Sequence, residues 1–310
     1  MIDEHVSIKL KKREAWKSYA PVTILLLIII GLTVWSFVSG IATKEGLPSI
    51  NLLSGILLII VGLVAGLIGG IIGTGGCSVM LPILHFWLGF PASIAIGTTL
   101  FAVVFTAVSG GYGHLVRGNV DKRAMLWLGG LGLIGVIVGS WLFIQLAAQT
   151  SLLGLILGLV FLWPAIRMIW ESFVRRKESK EGGTIPGSKF AKGIFGFAVG
   201  ILTGLVGLGG GYALVPGMVY LFGAPVYITM GTSLATMIPL AVVGGSIKLA
   251  EGFVFLDAGL ILAAGTIIGA QIGAAIIKRF RTTTLKLIFG LYFLYVSMKF
   301  IMSYFGIMIF

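Results

Sequence analysis

The chain has 310 residues, of which 58% are hydrophobic and 10% charged, with a mean hydropathy of +1.10. That much apolar surface excludes a soluble globular protein and points to one polytopic membrane domain. The net charge of +12 does not indicate nucleic-acid binding, because Lys and Arg fall between the apolar runs; the single cysteine, Cys77, excludes an intramolecular disulfide and a thiolate metal cluster.

In chain order, residues 1–20 form a basic leader with Lys9, Lys11, Lys12, Arg13 and Lys17. The apolar run 21–43 is too long for a signal-peptide core and lacks a small-residue cleavage site, so residues 21–50 are read as an extra transmembrane helix. Long apolar runs follow at 51–73, 91–113, 124–148, 151–172, 190–208, 226–249, 256–280 and 284–306, with shorter ones at 76–89 and 210–223. Lipid offers the backbone no hydrogen-bonding partner, so all of these are expected to be helices.

Gly62–Val120 recurs without a gap as Gly196–Val254, 134 residues later. The cluster Gly73-Thr-Gly75-Gly76-Cys77-Ser78 answers Gly207-Leu-Gly209-Gly210-Gly211-Tyr212, and Gly97-Thr98-Thr99 answers Gly231-Thr232-Ser233. The chain therefore divides into repeat 1 (51–173), a basic loop (174–189) and repeat 2 (190–310), with five helical segments in each repeat. The loop region carries Arg175, Arg176, Lys177, Lys180, Lys189 and Lys192, so both it and the N-terminus are expected in the cytoplasm. Both reach that side only if the short segment 76–89 crosses the membrane. Glu251 and Asp257 then lie outside. Five segments per repeat is an odd number, so the halves are expected to be inverted relative to each other, as in secondary transporters.

The glycine clusters let the backbone leave helical geometry and allow close approach to the main chain. Each precedes a helix whose first N–H groups are unpaired and whose N-terminus is partly positive. Two such ends facing each other suit an anion held by Gly75, Gly76, Cys77 and Ser78 together with Gly209, Gly210 and Gly211. The competing reading is that the glycines only permit tight helix packing. Thr98, Thr99, Thr232 and Ser233 add hydroxyl donors, or alternatively cap and back-bond their own helices. His85 is a candidate proton relay or a structural hydrogen-bonding group. His114 and Lys248 read as anchors or gate charges at span ends, and Gln145 and Gln271 as interhelical partners. Trp16, Trp35, Trp163 and Trp170 read as interfacial residues. Cys77 answers Gly211, which favours a small packing role.

These residues resemble the TauE/SafE family of membrane permeases, described as sulfite or organosulfonate exporters. The resemblance covers roughly 51–306. It rests on Gly66-x-x-x-Gly70-x-x-Gly73-x-Gly75-Gly76 with Pro82, on Gly209-Gly210-Gly211 with Pro216, and on the Gly-Thr-Ser-Leu run at Gly231–Leu234. Cys77 and Thr99 depart from the family pattern, and the helix at 21–43 is an addition to it. The resemblance implies transport of small sulfur-containing anions across a bacterial cytoplasmic membrane. The expected partners are that anion and the lipid bilayer, with self-association left open and no cofactor or metal expected. The carboxylates Asp121, Glu171, Glu251 and Asp257 all sit at or near span ends. That arrangement favours export driven by the membrane potential over ion-coupled uptake, with an anion channel as the rival. No His-Glu-x-x-His, Asp pair or Gly-x-Ser-x-Gly occurs in the spans, so an enzyme is not expected.

Overall fold

The computed structural model describes residues 2–39, 48–173, 183–277 and 282–307; most of the basic loop, including Arg175, Arg176, Lys177 and Lys180, and the Trp16 side chain lie outside the described part. Among the described residues the protein is all helical. The helices are α1 (Ile2–Ser39), α2 (Leu52–Ile72), α3 (Cys77–Pro82, continued by a π-helical turn, Ile83–Trp87), α4 (Ala92–Val116), α5 (Lys122–Leu146) and α6 (Thr150–Phe173). The second half holds α7 (Lys189–Val206), α8 (Gly211–Leu221), α9 (Val226–Ala250), α10 (Leu256–Ile276) and α11 (Thr282–Tyr304). Eight of them are long and apolar enough to cross a membrane, while Cys77–Trp87 and Gly211–Leu221 are shorter. Polar caps mark several starts. Asn51 and Ser54 form a capping box on α2, Asp121 accepts from Arg123 and Ala124 on α5, and Ser188 accepts from Ala191 on α7.

The halves interlock through small residues. Along α2, Gly62, Gly66 and Gly70 lie against the backbone of Leu262, Thr266 and Ala270 in α10; along α7, Gly196, Gly200 and Gly204 lie against Leu128, Gly132 and Val136 in α5. Both pairs run parallel, with a constant register. Lipid gives little hydrophobic drive for helix association, so such backbone-to-backbone contact is what packs these pairs. α4 and α9 run antiparallel, with Gly111 beside Ala235 and Gly245 beside Phe101. α6 and α11 are also antiparallel, with Gly158 beside Ile301 and Gly290 beside Ile169.

α4 runs parallel to α10 as well: Gly259 meets Phe101, and Ser109 Oγ donates to the Ile267 carbonyl at 2.7 Å. α2 and α4 therefore share a direction, so the chain returns between them through α3 and its π turn. The same holds for α7, α8 and α9, since α9 runs parallel to α5. Backbone detail repeats at the same offset. Positive φ occurs at Gly73 and Gly207, Gly75 and Gly209, Gly76 and Gly210, Gly89 and Gly223, and Gly118 and Gly252.

The added helix α1 lies against α10. Ile29 is buried beside Leu260, Ala263 and Ile267, and Ser36 Oγ donates to Asp257 Oδ1 at 2.6 Å. Trp35, Trp163 and Trp170 are exposed, as lipid-facing or interfacial residues should be.

Candidate functional site

The two glycine breaks meet in the middle of the bundle. α2 ends at Gly73 (φ 82°) and α3 starts after Gly76 (φ 75°); α7 ends at Gly207 (φ 71°) and α8 starts after Gly210 (φ 82°). Gly75 and Gly209 both abut Val103 of α4 and Met237 of α9, themselves a pair at the repeat offset. Gly211 lies against the Gly73 carbonyl and Thr74, and the Cys77 thiol donates to the Leu208 carbonyl of the opposite break. Gly75, Gly76, Cys77, Gly209, Gly210 and Gly211 are thus brought together, with Cys77 acting as a cross-brace where the other half has only Gly211.

A helix that stops inside lipid leaves its last carbonyls without intrahelical donors. Here the protein supplies those donors. His114 Nε2 donates to the Gly70 carbonyl at 2.9 Å, and Lys248 Nζ donates to the Gly204 carbonyl. Ser233 Oγ donates to the Gly73 carbonyl at 2.8 Å. His114 and Lys248 are repeat counterparts, and so are their acceptors. Both stand in the last turns of α4 and α9, at the span ends where the sequence places them, but both are 0% exposed, so neither is an anchor at the membrane interface. Lys248 also lies 4.1 Å from the centre of the Phe143 ring, an attractive placement for an ammonium.

The four hydroxyls singled out by sequence all hold backbone groups. Thr98 Oγ1 accepts from the Phe255 N–H at 2.9 Å, and Thr232 Oγ1 accepts from the Asp121 N–H at 2.8 Å. Thr99 Oγ1 donates back to the Ala95 carbonyl at 2.7 Å. Of the four, only Ser233 touches a break. Thr232→Val is therefore expected to lower thermal stability by about 1–3 kcal/mol, because the Asp121 N–H loses its buried acceptor. Anion affinity should not change; a selective loss of affinity in a binding titration would return Thr232 to the ligand.

His85 lies in the middle of the π turn. Its Nδ1 bonds the Phe90 carbonyl at 2.8 Å, and its ring stacks on Phe300 at 5.5 Å beside Phe86. Its counterpart Val219 lines a cavity of about 70 Å³ on the side of the bundle where α6 runs into the basic loop. Thr74, Tyr212, Tyr220, Arg167 and Glu171 line the same cavity. Arg167 Nε donates to Glu171 at 3.0 Å, and its guanidinium lies 4.3 Å from the Tyr220 ring centre. The hydroxyls of Thr74, Ser78 and Tyr212 are buried without a partner. Thr74 and Tyr212 escaped sequence reasoning because neither has a hydroxyl at the same depth in the other half that matches it in type: Thr74 answers Leu208, and Tyr212 answers Ser78. Gln271 is buried with its amide unpaired, and Gln145 is exposed, so neither makes an interhelical bond here.

Comparison with known proteins finds similarity to membrane transporters. The chain is 30% identical over 218 residues to the probable membrane transporter protein YdhB of Bacillus subtilis, covering 70% of this chain and 88% of that protein. It is 30% identical over 255 residues to the probable membrane transporter protein YunE of the same organism, covering 76% and 93%. It is 26% identical over 246 residues to the probable membrane transporter protein MJ0441 of Methanocaldococcus jannaschii, covering 74% and 89%. No solved structure matches the chain significantly. Residues 58–300 match a family described as sulfite exporter TauE/SafE, and with the match spanning most of the bundle the chain belongs to that family.

Proposed function

We propose that this protein is a secondary transporter that exports small sulfur-containing oxyanions, such as sulfite or organosulfonates, across the bacterial cytoplasmic membrane by alternating access. The observation that carries the reading is the sorting of polar groups at the breaks. The carbonyls of Gly70, Gly73, Gly204 and Leu208 are already bonded by donors of the protein. A sodium ion would compete with those donors for the same oxygens. The first N–H groups of α8 and the hydroxyls of Thr74, Ser78 and Tyr212 have no partner in the protein. Unclaimed donors of this kind suit an anion.

The halves are inverted about an axis in the membrane plane in this reading. The antiparallel pairing of α4 with its counterpart α9, and of α6 with α11, supports it. An inside-negative potential supplies about 2.3 kcal/mol per charge per 100 mV for an anion leaving the cell, so export needs no coupled ion.

Two experiments test the proposal. Proteoliposomes loaded with sulfite should lose it faster when a potassium diffusion potential makes the interior negative; an unchanged rate removes potential-driven export, and single-channel currents would make the protein a channel instead. For topology, with Cys77 replaced by Ser, single cysteines at Ser179 and Gly252 should label from opposite faces of the membrane, Ser179 from the cytoplasm. Labelling from the same face would end the inverted-repeat reading.

A further inference from the structure

We infer that the transported oxyanion is held by the hydroxyls of Thr74 and Tyr212 at the N-terminus of α8, and reaches them through the cavity whose mouth carries Arg167. The inference rests on the oxyanion reading above and gives that site its side chains.

Three observations converge. First, Thr74 and Tyr212 are each only 4% exposed, and their hydroxyl oxygens have no partner. An unpaired buried hydroxyl is costly, and native proteins keep few of them without a ligand or ordered water to satisfy them. The two residues also belong to one place. Gly211, the residue before Tyr212, packs so closely on Thr74 that a Cβ there would lie 2.6 Å from the Thr74 Cα. Second, both residues line the same cavity, their hydroxyl oxygens being closed off from its space in this conformation, and its volume of about 70 Å³ is several times what one water needs. Third, α8 is 11 residues long, and its cap at Gly210 offers no side chain to its first N–H groups. Gly210 O takes the N–H groups of Ala213 and Leu214, which leaves those of Gly211 and Tyr212 without an intrahelical acceptor.

The chemistry selects the ligand class. Hydroxyl and amide donors beside the positive end of a helix recognise oxygen atoms bearing negative charge. Arg167 is the basic side chain lining the cavity, and Glu171 beside it is already bonded to Arg167. The remainder of the lining, including Ile72, Val215, Val219 and Met230, is apolar. Such a wall tolerates the short hydrocarbon of an organosulfonate while the donors hold its sulfonate head. A small, strongly charged head with or without an apolar tail is the substrate this geometry fits.

The test uses the full-length protein in lipid nanodiscs, with sulfite, sulfoacetate and chloride as probes in equilibrium binding, and thermal unfolding measured in parallel. Tyr212→Phe and Thr74→Val keep side-chain shape and remove one donor each. Each is expected to weaken sulfite and sulfoacetate binding about 10- to 100-fold, the range for losing a hydrogen bond to a charged group. Unfolding temperature without ligand should not fall, since neither hydroxyl bonds the protein. Unchanged affinity in both variants, with wild type binding normally, overturns the site and leaves the transport reading intact. Wild-type protein that binds none of the oxyanions removes the transport reading and the site with it. Should either variant fail to fold, Val219→Cys offers a second readout. Its modification by a methanethiosulfonate reagent, over the wild-type background, should slow at least fivefold in saturating sulfite. No protection by sulfite overturns the site.

Discussion

Valine at Gly76 is expected to abolish transport and leave little folded protein. Gly76 has φ 75°, a conformation that is a genuine outlier for a β-branched residue. A Cβ there would also overlap the Ala65 carbonyl and lie 2.6 Å from its carbon. Backbone cannot move aside as a rotamer can. The left-handed backbone costs about 1–2 kcal/mol and overpacking about 1–3 more, a large share of a typical stability of about 5–15 kcal/mol. Alanine at Gly210 should be less severe. Its φ is 82°, but the groups it would meet are side-chain atoms, Thr203 Oγ1 at 2.6 Å and Val199 Cγ1 at 2.8 Å.

Gly139 and Gly265 lie on unbroken helices, and sequence alone suggests that valine is milder there than at the breaks. Both escape the left-handed strain, but a Cβ at Gly139 would lie 2.8 Å from the Ile201 carbonyl carbon and one at Gly265 2.8 Å from the Leu63 nitrogen, so neither position is a neutral control. The suitable control is Gly130, with nothing within 4 Å. Monodisperse yield and sulfite flux measure the comparison. Gly76→Val protein that folds and transports like Gly130→Val would show that the break has no need of glycine.

Glutamate at Lys248 is expected to have the second large effect. The Lys248 side chain is 0% exposed, its amine donates to the Gly204 carbonyl, and the Phe143 ring lies beneath it. A carboxylate would set an acceptor against that carbonyl and a negative charge against an aromatic face. Burying an unmatched charge costs several kcal/mol, so Lys248→Glu should not accumulate as folded protein. Lys248→Met keeps the length and loses only the donor, with an expected cost of about 1–3 kcal/mol as the Gly204 carbonyl goes unpaired. Unfolding midpoints in one detergent rank the three proteins. Equal midpoints for Lys248→Glu and wild type would mean that the amine does not support the end of α7.

The helices, the duplication and the meeting of the breaks are legible in the sequence because each has a periodic or repeated signature. Apolar runs set the spans to within a few residues: 190–208 is read where Lys189–Val206 is helical. The partners of the polar residues are not legible, because they are set by which helices cross. His114 and Lys248 fall near the ends of α4 and α9, where hydropathy suggests an interface. The end of a second helix lies over each of them and closes off solvent. The hydroxyls of Thr98 and Thr232 bond N–H groups 157 and 111 residues away. One signal was present and goes unused by hydropathy: Thr98 and Thr232, and their donors Phe255 and Asp121, are pairs at the repeat offset. A polar residue answered by a polar residue 134 positions on, each near a cap, marks a joint repeated in both halves rather than a ligand contact.

The cavity and the place that answers it in the other repeat differ in chemistry, which under alternating access bears on kinetics. Around the cavity stand Arg167, Glu171, Val219 and Tyr220. The positions 134 residues from them are Ile301, Phe305, His85 and Phe86, and the last two pack against Phe300 in an aromatic seal. Lys299 Nζ also lies 4.9 Å from the Phe86 ring centre, so if transport alternates between two exposures, the solute meets an Arg167–Glu171 ion pair from one side and a lysine over aromatic rings from the other. Such unlike doorways leave the final concentration ratio untouched, since the same free-energy difference governs passage either way. They do set separate half-saturation concentrations for the forward and reverse directions.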